Sequence, residues 1–157
     1  MSRTWEGRKT ADTKEFEAFK NEAATAKAAA APADVLAPRP DLNGLRVKLP
    51  HRSEIYLILD GCRRWIPSPA AYNRLFRDWN GVVVDIDIDE IPLAAPLSDG
   101  AVLIKGDGTA PVYLVSNNVK RWITSPAAMD KYYFNWSKIQ VVAPILVNNI
   151  PTGPDIS

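Results

Sequence analysis

The chain holds one cysteine, Cys62, and one histidine, His51, among its 157 residues. A lone thiol cannot form an intrachain disulfide, and one histidine with one cysteine does not make a zinc site of any usual ligand pattern. The plain expectation is a small buried thiol and a surface-loop histidine. Net charge is also nearly absent: 19 basic side chains against 18 acidic ones leave +1. That is too weak a field to draw in nucleic acid or an anionic membrane. No apolar run approaches the roughly 18 residues of a membrane span. The first residues, Met1 to Lys9, are charged throughout, unlike the apolar core of a secretion signal. The expectation is cytoplasmic synthesis, with any later exposure occurring in a particle or at a surface.

Catalytic patterns are missing as well. Neither a metal site nor a nucleophile with a matching base can be assembled from these residue types. Lys105-Gly106-Asp107-Gly108 has neither the length nor the lysine position of a phosphate loop. Asp85, Asp87 and Asp89 alternate along a β-branched run, which on a strand sets their carboxylates about 6–7 Å apart on one face. This spacing suits an edge strand guarded by charge better than a calcium site. A non-enzyme without cofactor or metal is expected.

What is present is a soluble globular composition, 46% hydrophobic and 24% charged, and an internal repeat. Sliding the chain by 57 positions aligns Ile55–Asn80 with Val112–Ser137 without a gap, and ten of the 26 pairs are identical. They include Tyr56/Tyr113, Arg64/Arg121, Trp65/Trp122, Ser68/Ser125, Pro69/Pro126 and Trp79/Trp136. Flanking echoes, Gly44 with Gly100 and Ile91-Pro92 with Ile150-Pro151, extend the unit to roughly 50–57 residues. The domains are therefore read as an arm over 1–43, repeat 1 over 44–97 and repeat 2 over 98–157.

Within each repeat the local signals agree. Ile55–Leu59 and Cys62–Ile66 flank Asp60-Gly61, the pair best suited to the positive φ angles of a type I′ hairpin turn, and Asn117-Asn118 stands in the same place in the second copy. Two-residue register sets Tyr56 opposite Trp65 and Tyr113 opposite Trp122. Ser68-Pro69 and Ser125-Pro126 read as a helix N-cap followed by proline at the first helical position. Along the helix, Tyr72, Leu75, Phe76 and Trp79, and then Met129, Tyr132, Tyr133 and Trp136, fall on one stripe expected to face the sheet. Leu45–Leu49 and Val102–Lys105 supply a leading strand; Val82–Ile88 and Ile139–Val142 supply a returning one. The fold class is thus α+β, two tandem β-β-β-α-β repeats packed with pseudo-twofold symmetry, because one unit of that size buries too little alone.

The arm differs in kind. Asp12 and Glu15 have the spacing of a helix cap and its returning carboxylate, followed by Phe16, Phe19 and Ala23 on one narrow face. A helix over about 13–31 is expected, stopped by Pro32, with an extended spacer to Asn43. Such a helix is marginal alone, so Trp5, Phe16 and Phe19 are candidate docking residues for a partner subunit.

The candidate binding surface of the body is the hairpin face with Tyr56, Arg63 and Trp65, repeated as Tyr113, Lys120 and Trp122. Flat aromatics beside a cation either stack on a sugar ring or a protein partner, or pack inward with the cation's stem over the ring. Arg64 and Arg121 fall on the opposite face and are expected to hold a carboxylate or a helix end within the fold.

Ile104-Lys105-Gly106, Val112-Tyr-Leu-Val115, Lys120-Arg-Trp-Ile123, Ser125-Pro126, Trp136 and Ile150-Pro-Thr-Gly-Pro154 together resemble a tandem short-repeat family of bacterial accessory modules. The first copy is similar through Tyr56-Leu57, Gly61, Arg63 to Pro67, Trp79 and Ile91-Pro92. The resemblance spans 44–157 and implies binding or scaffolding rather than catalysis. Here Asn117-Asn118 replaces the family's turn glycine, and no ligand residues carry over. The leading expectation is a non-catalytic structural or assembly protein of virion, filament or surface-layer type, forming a homo-oligomer or larger assembly through protein subunits. The alternative is a lectin-like module binding cell-wall or other glycans through the Tyr/Trp faces.

Overall fold

The computed structural model describes residues 36–157. The helix expected over 13–31, with Trp5, Phe16 and Phe19, lies outside the described residues.

The fold is built outward from two hairpins. Strands β2 (Tyr56–Leu59) and β3 (Cys62–Trp65) meet at Asp60-Gly61, with φ angles of 59° and 73°. Strands β6 (Val112–Ser116) and β7 (Val119–Ile123) meet at Asn117-Asn118, with φ of 55° and 64°. Two successive left-handed residues are what a type I′ turn requires, and they fix a register in which Tyr56 faces Trp65 and Tyr113 faces Trp122. Strand β1 (Arg46–Lys48) adds antiparallel to β2, and β5 (Val102–Gly106) adds antiparallel to β6. Strands β4 (Val83–Val84) and β8 (Gln140–Val142) return parallel to β1 and β5. The result is a mixed α+β protein with two four-stranded sheets, ordered β3-β2-β1-β4 and β7-β6-β5-β8.

The chain divides into two compact units. One contains the described residues up to Pro69 and Asp78–Pro96; the other contains Ala70–Arg77 and Leu97–Ser157. Helix α1 (Pro69–Leu75), which the repeat reading placed in the first copy, thus contributes nearly all of its residues to the second unit. In the first unit Val47, Tyr56, Ile58, Val83, Ile88 and Ile91 form a core, with Trp65 and Leu93 packed against it. In the second, Tyr72, Phe76, Phe134 and Tyr132 make a chain of ring contacts at centroid distances of 4.8, 5.7 and 5.6 Å. Fully burying an aliphatic or phenylalanine side chain contributes about 1.5–3 kcal/mol, so these clusters dominate the stability of each unit. Among the described residues no helix is long and apolar enough to cross a membrane.

Two expectations are corrected. The aromatic stripes do not continue as helix to the tryptophans. Helix α1 ends at Leu75 and α2 (Pro126–Lys131) ends at Lys131. In the second unit Tyr133 turns left-handed at φ 61°, Phe134 N–H donates to the Met129 carbonyl and Tyr133 N–H to that of Asp130. This is the hydrogen-bond pattern of a Schellman stop, with tyrosine in the place usually held by glycine. Asn135 then caps a short 3-10 helix, Trp136–Lys138, through its side chain. The second correction concerns Asp85, Asp87 and Asp89, which do not share a strand face. Asp85 is buried and accepts the Asp87 N–H at 2.8 Å as the cap of a 3-10 helix, Ile86–Glu90. An aspartate directly before such a segment satisfies a free N–H, and that competes successfully with strand extension.

The turns also hold what precedes them. Arg39 N–H donates to the Gly61 carbonyl at 2.8 Å, and a Cβ on Gly61 would come within 2.8 Å of the Arg39 nitrogen. Gly61→Ala therefore combines left-handed strain with a backbone clash and should destabilise by about 1–3 kcal/mol. Asn118→Gly should instead stabilise by roughly 0.5–1 kcal/mol, because it relieves a left-handed non-glycine position. Urea unfolding of the two variants checks the opposite signs.

Candidate binding cleft

Arg63 is 1% exposed; its guanidinium carbon lies 5.1 Å from the Tyr56 ring centroid, and its Nε donates to the Ile91 carbonyl at 2.8 Å. Lys120 repeats the arrangement, with its ammonium 5.2 Å from the Tyr113 centroid and donating to the Val147 carbonyl at 2.7 Å. Burial pushes the Tyr56 phenol above its ordinary value, against the opposing pull of Arg63. The buried cations are tolerated because a carbonyl and a ring face compensate their burial, and the Arg63 guanidinium in addition lies 3.6 Å from the Asp89 carboxylate.

The backbone at the same residues holds the closing segments. Arg63 N–H donates to the Pro92 carbonyl and Ala94 N–H to that of Arg63; Lys120 exchanges the same pair of bonds with Pro151 and Gly153. Ile156 continues along β7 by donating to the Trp122 carbonyl at 2.7 Å. On the other face Arg64 pairs with Asp60 at 2.9 Å and donates to the Ala95 carbonyl at 3.0 Å, while Arg121 donates to the Pro154 carbonyl at 2.8 Å. Both arginines clamp the segment that closes their repeat.

The six hairpin residues therefore do not present two equivalent open faces. Tyr56, Arg63 and Lys120 are buried, Trp65 and Tyr113 are half-buried, and only Trp122 is exposed. Trp122 lies on a cleft of about 350 Å³ in the second unit, with Pro111 and Val112 at the start of β6, Pro126 and Met129 on α2, and Trp136. Trp122 and Trp136 are 40% and 47% exposed, unusual for the largest apolar side chains. The positions of the cleft follow from local rules. The two-residue hairpin fixes Trp122 opposite Tyr113, and Ser125 accepts the Ala128 N–H at 3.1 Å, capping α2 so that Pro126 and Met129 begin it. The Schellman stop then releases Trp136 from the helix.

The turn that carries Trp136 is braced by Arg77, which donates to the Asp130 carboxylate and, at 2.9 Å, to the Phe134 carbonyl, and lies 5.4 Å from the Tyr133 centroid. The Arg77 hydrogen bond, before any other cause, holds the Asp130 carboxyl below the usual carboxylate range. Sequence reasoning missed Trp136 by assigning it to a core-facing stripe. The signal available was the Tyr132-Tyr133-Phe134 run, three aromatics that cannot all share one helical face.

Among the described residues no group of three or more His, Cys, Asp or Glu side chains is placed to hold a metal ion. His51 is exposed in a turn at φ 61°, and Cys62 is half-buried. No family model matches the chain, and no curated protein or solved structure matches it either.

Two measurements follow. Arg63→Met should destabilise by about 2–3 kcal/mol by leaving the Ile91 carbonyl without its charged donor and Asp89 without its ion pair, whereas Asp60→Asn, which keeps a residue suited to the left-handed turn and removes the charge facing Arg64, should cost below about 1 kcal/mol; equal losses on urea denaturation would refute the role of the buried cation. Because the folded value is lowered, the Arg77–Asp130 pair contributes above the unfolded carboxyl value near ~3.9 and is lost as pH falls through the folded one. Carbon-detected NMR titration should place Asp130 below ~3.9 and show it rising in Arg77→Ala.

Proposed function

We propose that this chain is a non-catalytic assembly protein whose N-terminal arm docks on a partner subunit and whose two repeats form an exposed binding module. The observation that carries the module is the Trp122–Trp136 cleft, where two exposed tryptophans line one open apolar surface, since apolar patches flanked by polar surface mark interaction sites. The reading of residues 44–157 as tandem β-β-β-α-β repeats packed with pseudo-twofold symmetry draws support from the ten identities in 26 aligned positions and from the shared strand order of the two sheets. The likeness to bacterial accessory repeats points the same way. For the arm, the support is its sequence: Phe16, Phe19 and Ala23 give an apolar face too narrow to fold alone, and Trp5 adds a further aromatic before it.

Glycan binding is the second reading. Its support now lies with Trp122 and not with the whole set of hairpin residues, for Tyr56, Arg63 and Lys120 are buried.

Removing residues 1–35 spares Arg39 and its bond to the Gly61 turn, so the body should keep its circular dichroism spectrum and unfolding midpoint while losing self-association or partner binding. Size-exclusion with light scattering on the full and shortened chains decides it. Unchanged association would reject the arm as the assembly element.

A further inference from the structure

We propose that the cleft between Trp122 and Trp136 is a saccharide site, taking a neutral pyranose oligosaccharide whose hydroxyls are mostly equatorial. The proposal rests on reading the body as a binding module, and it does not require the arm.

The lining selects against charge. None of the residues around the cleft is ionisable; besides its apolar residues it holds Thr124 and Ser125. A phosphate, carboxylate or ammonium group entering it would surrender its water to a surface with no countercharge. What the cleft offers is flat indole surface, and a pyranose with equatorial hydroxyls presents flat faces of axial C–H bonds to such rings.

A proline-rich peptide is the other neutral ligand of aromatic grooves. A polyproline segment brings carbonyl acceptors and no N–H of its own to give. The cleft holds the Thr124 and Ser125 hydroxyls, which donate and accept alike and so suit a ligand that does the same. Saccharide hydroxyls do so. A volume of about 350 Å³ suits a short oligosaccharide, near the lower end of the roughly 300–1,000 Å³ of ligand pockets.

The duplicated sequence predicts a single site per chain. At the positions aligned with Pro111, Trp122, Met129 and Trp136, the first copy has Glu54, Trp65, Tyr72 and Trp79. Glu54 and Tyr72 are buried, and Trp65 and Trp79 are half-buried. Neither first-copy tryptophan is as open as its counterpart in the second copy.

The test titrates the full chain with cellotetraose and chitotetraose, following indole N–H resonances by NMR and stoichiometry by calorimetry. Saturable binding at one equivalent per chain is expected, shifting the signals of Trp122 and Trp136 and leaving that of Trp65 in place. Trp122→Ala and Trp136→Ala should each lower affinity about tenfold or more. The wild-type shifts stand on their own where a variant fails to fold. Absence of any shift with either sugar at millimolar concentration would overturn the proposal, as would Trp122 and Trp136 responding only to a proline-rich peptide or to a synthetic peptide of residues 1–35. Failure with sugars leaves the arm-deletion result untouched, so the two readings fall separately.

Discussion

The structure depends on a buried cation held between a tyrosine ring and a backbone carbonyl. Arg63 over Tyr56 and Lys120 over Tyr113 sit on the outer hairpin strand, and their own backbone N–H groups bind Pro92 and Pro151. Side chain and main chain of one residue thereby fasten a segment that has no regular secondary structure of its own. The two cations differ in kind but occupy the same place: the arginine reaches the Ile91 carbonyl, and the lysine reaches that of Val147. A guanidinium and an ammonium both donate and both face a ring, so the role survives exchange of the head group.

This arrangement determines which aromatics remain for function. Drawing Tyr56, Arg63 and Lys120 inward converts most of the hairpin face into core and leaves Trp122 at its end. The early stop of α2 then leaves Trp136 outside the helix, on a turn braced by Arg77 through Asp130 and the Phe134 carbonyl. The cleft is thus a by-product of two local decisions, a buried cation and a left-handed Tyr133. Neither is peculiar to binding, and together they put two indoles around one opening.

Much of this was legible in the chain because it obeys short-range rules. Asp60-Gly61 and Asn117-Asn118 dictated turn type and register, Ser125-Pro126 dictated a capped helix start, and the leading and returning strands followed from β-branched runs. What resisted reading were competitions between two valid local solutions. Asp85 suited an alternating strand and also a 3-10 cap, and the cap prevailed because it satisfies a backbone donor beside a buried carboxylate. Tyr133 and Trp136 fitted a helical stripe, yet tertiary packing of Tyr132 and Phe134 into the ring chain at 5.6 Å ended the helix first. The exposure of Trp122 against the burial of Arg63 is set by long-range packing, which two-residue periodicity cannot rank.

The closing segments also bear on how such a protein can be multiplied. A sheet's outermost strand ordinarily offers a row of unpaired amides to any passing chain. Here Leu93 bridges β3 at Arg63, and Thr152 and Ile156 bridge β7 at Lys120 and Ile123, each in parallel. Each copy carries the cover for its own hairpin border a few dozen residues downstream of it. A motif built this way can be duplicated in tandem without the copies polymerising through that border, leaving their side chains free to diverge.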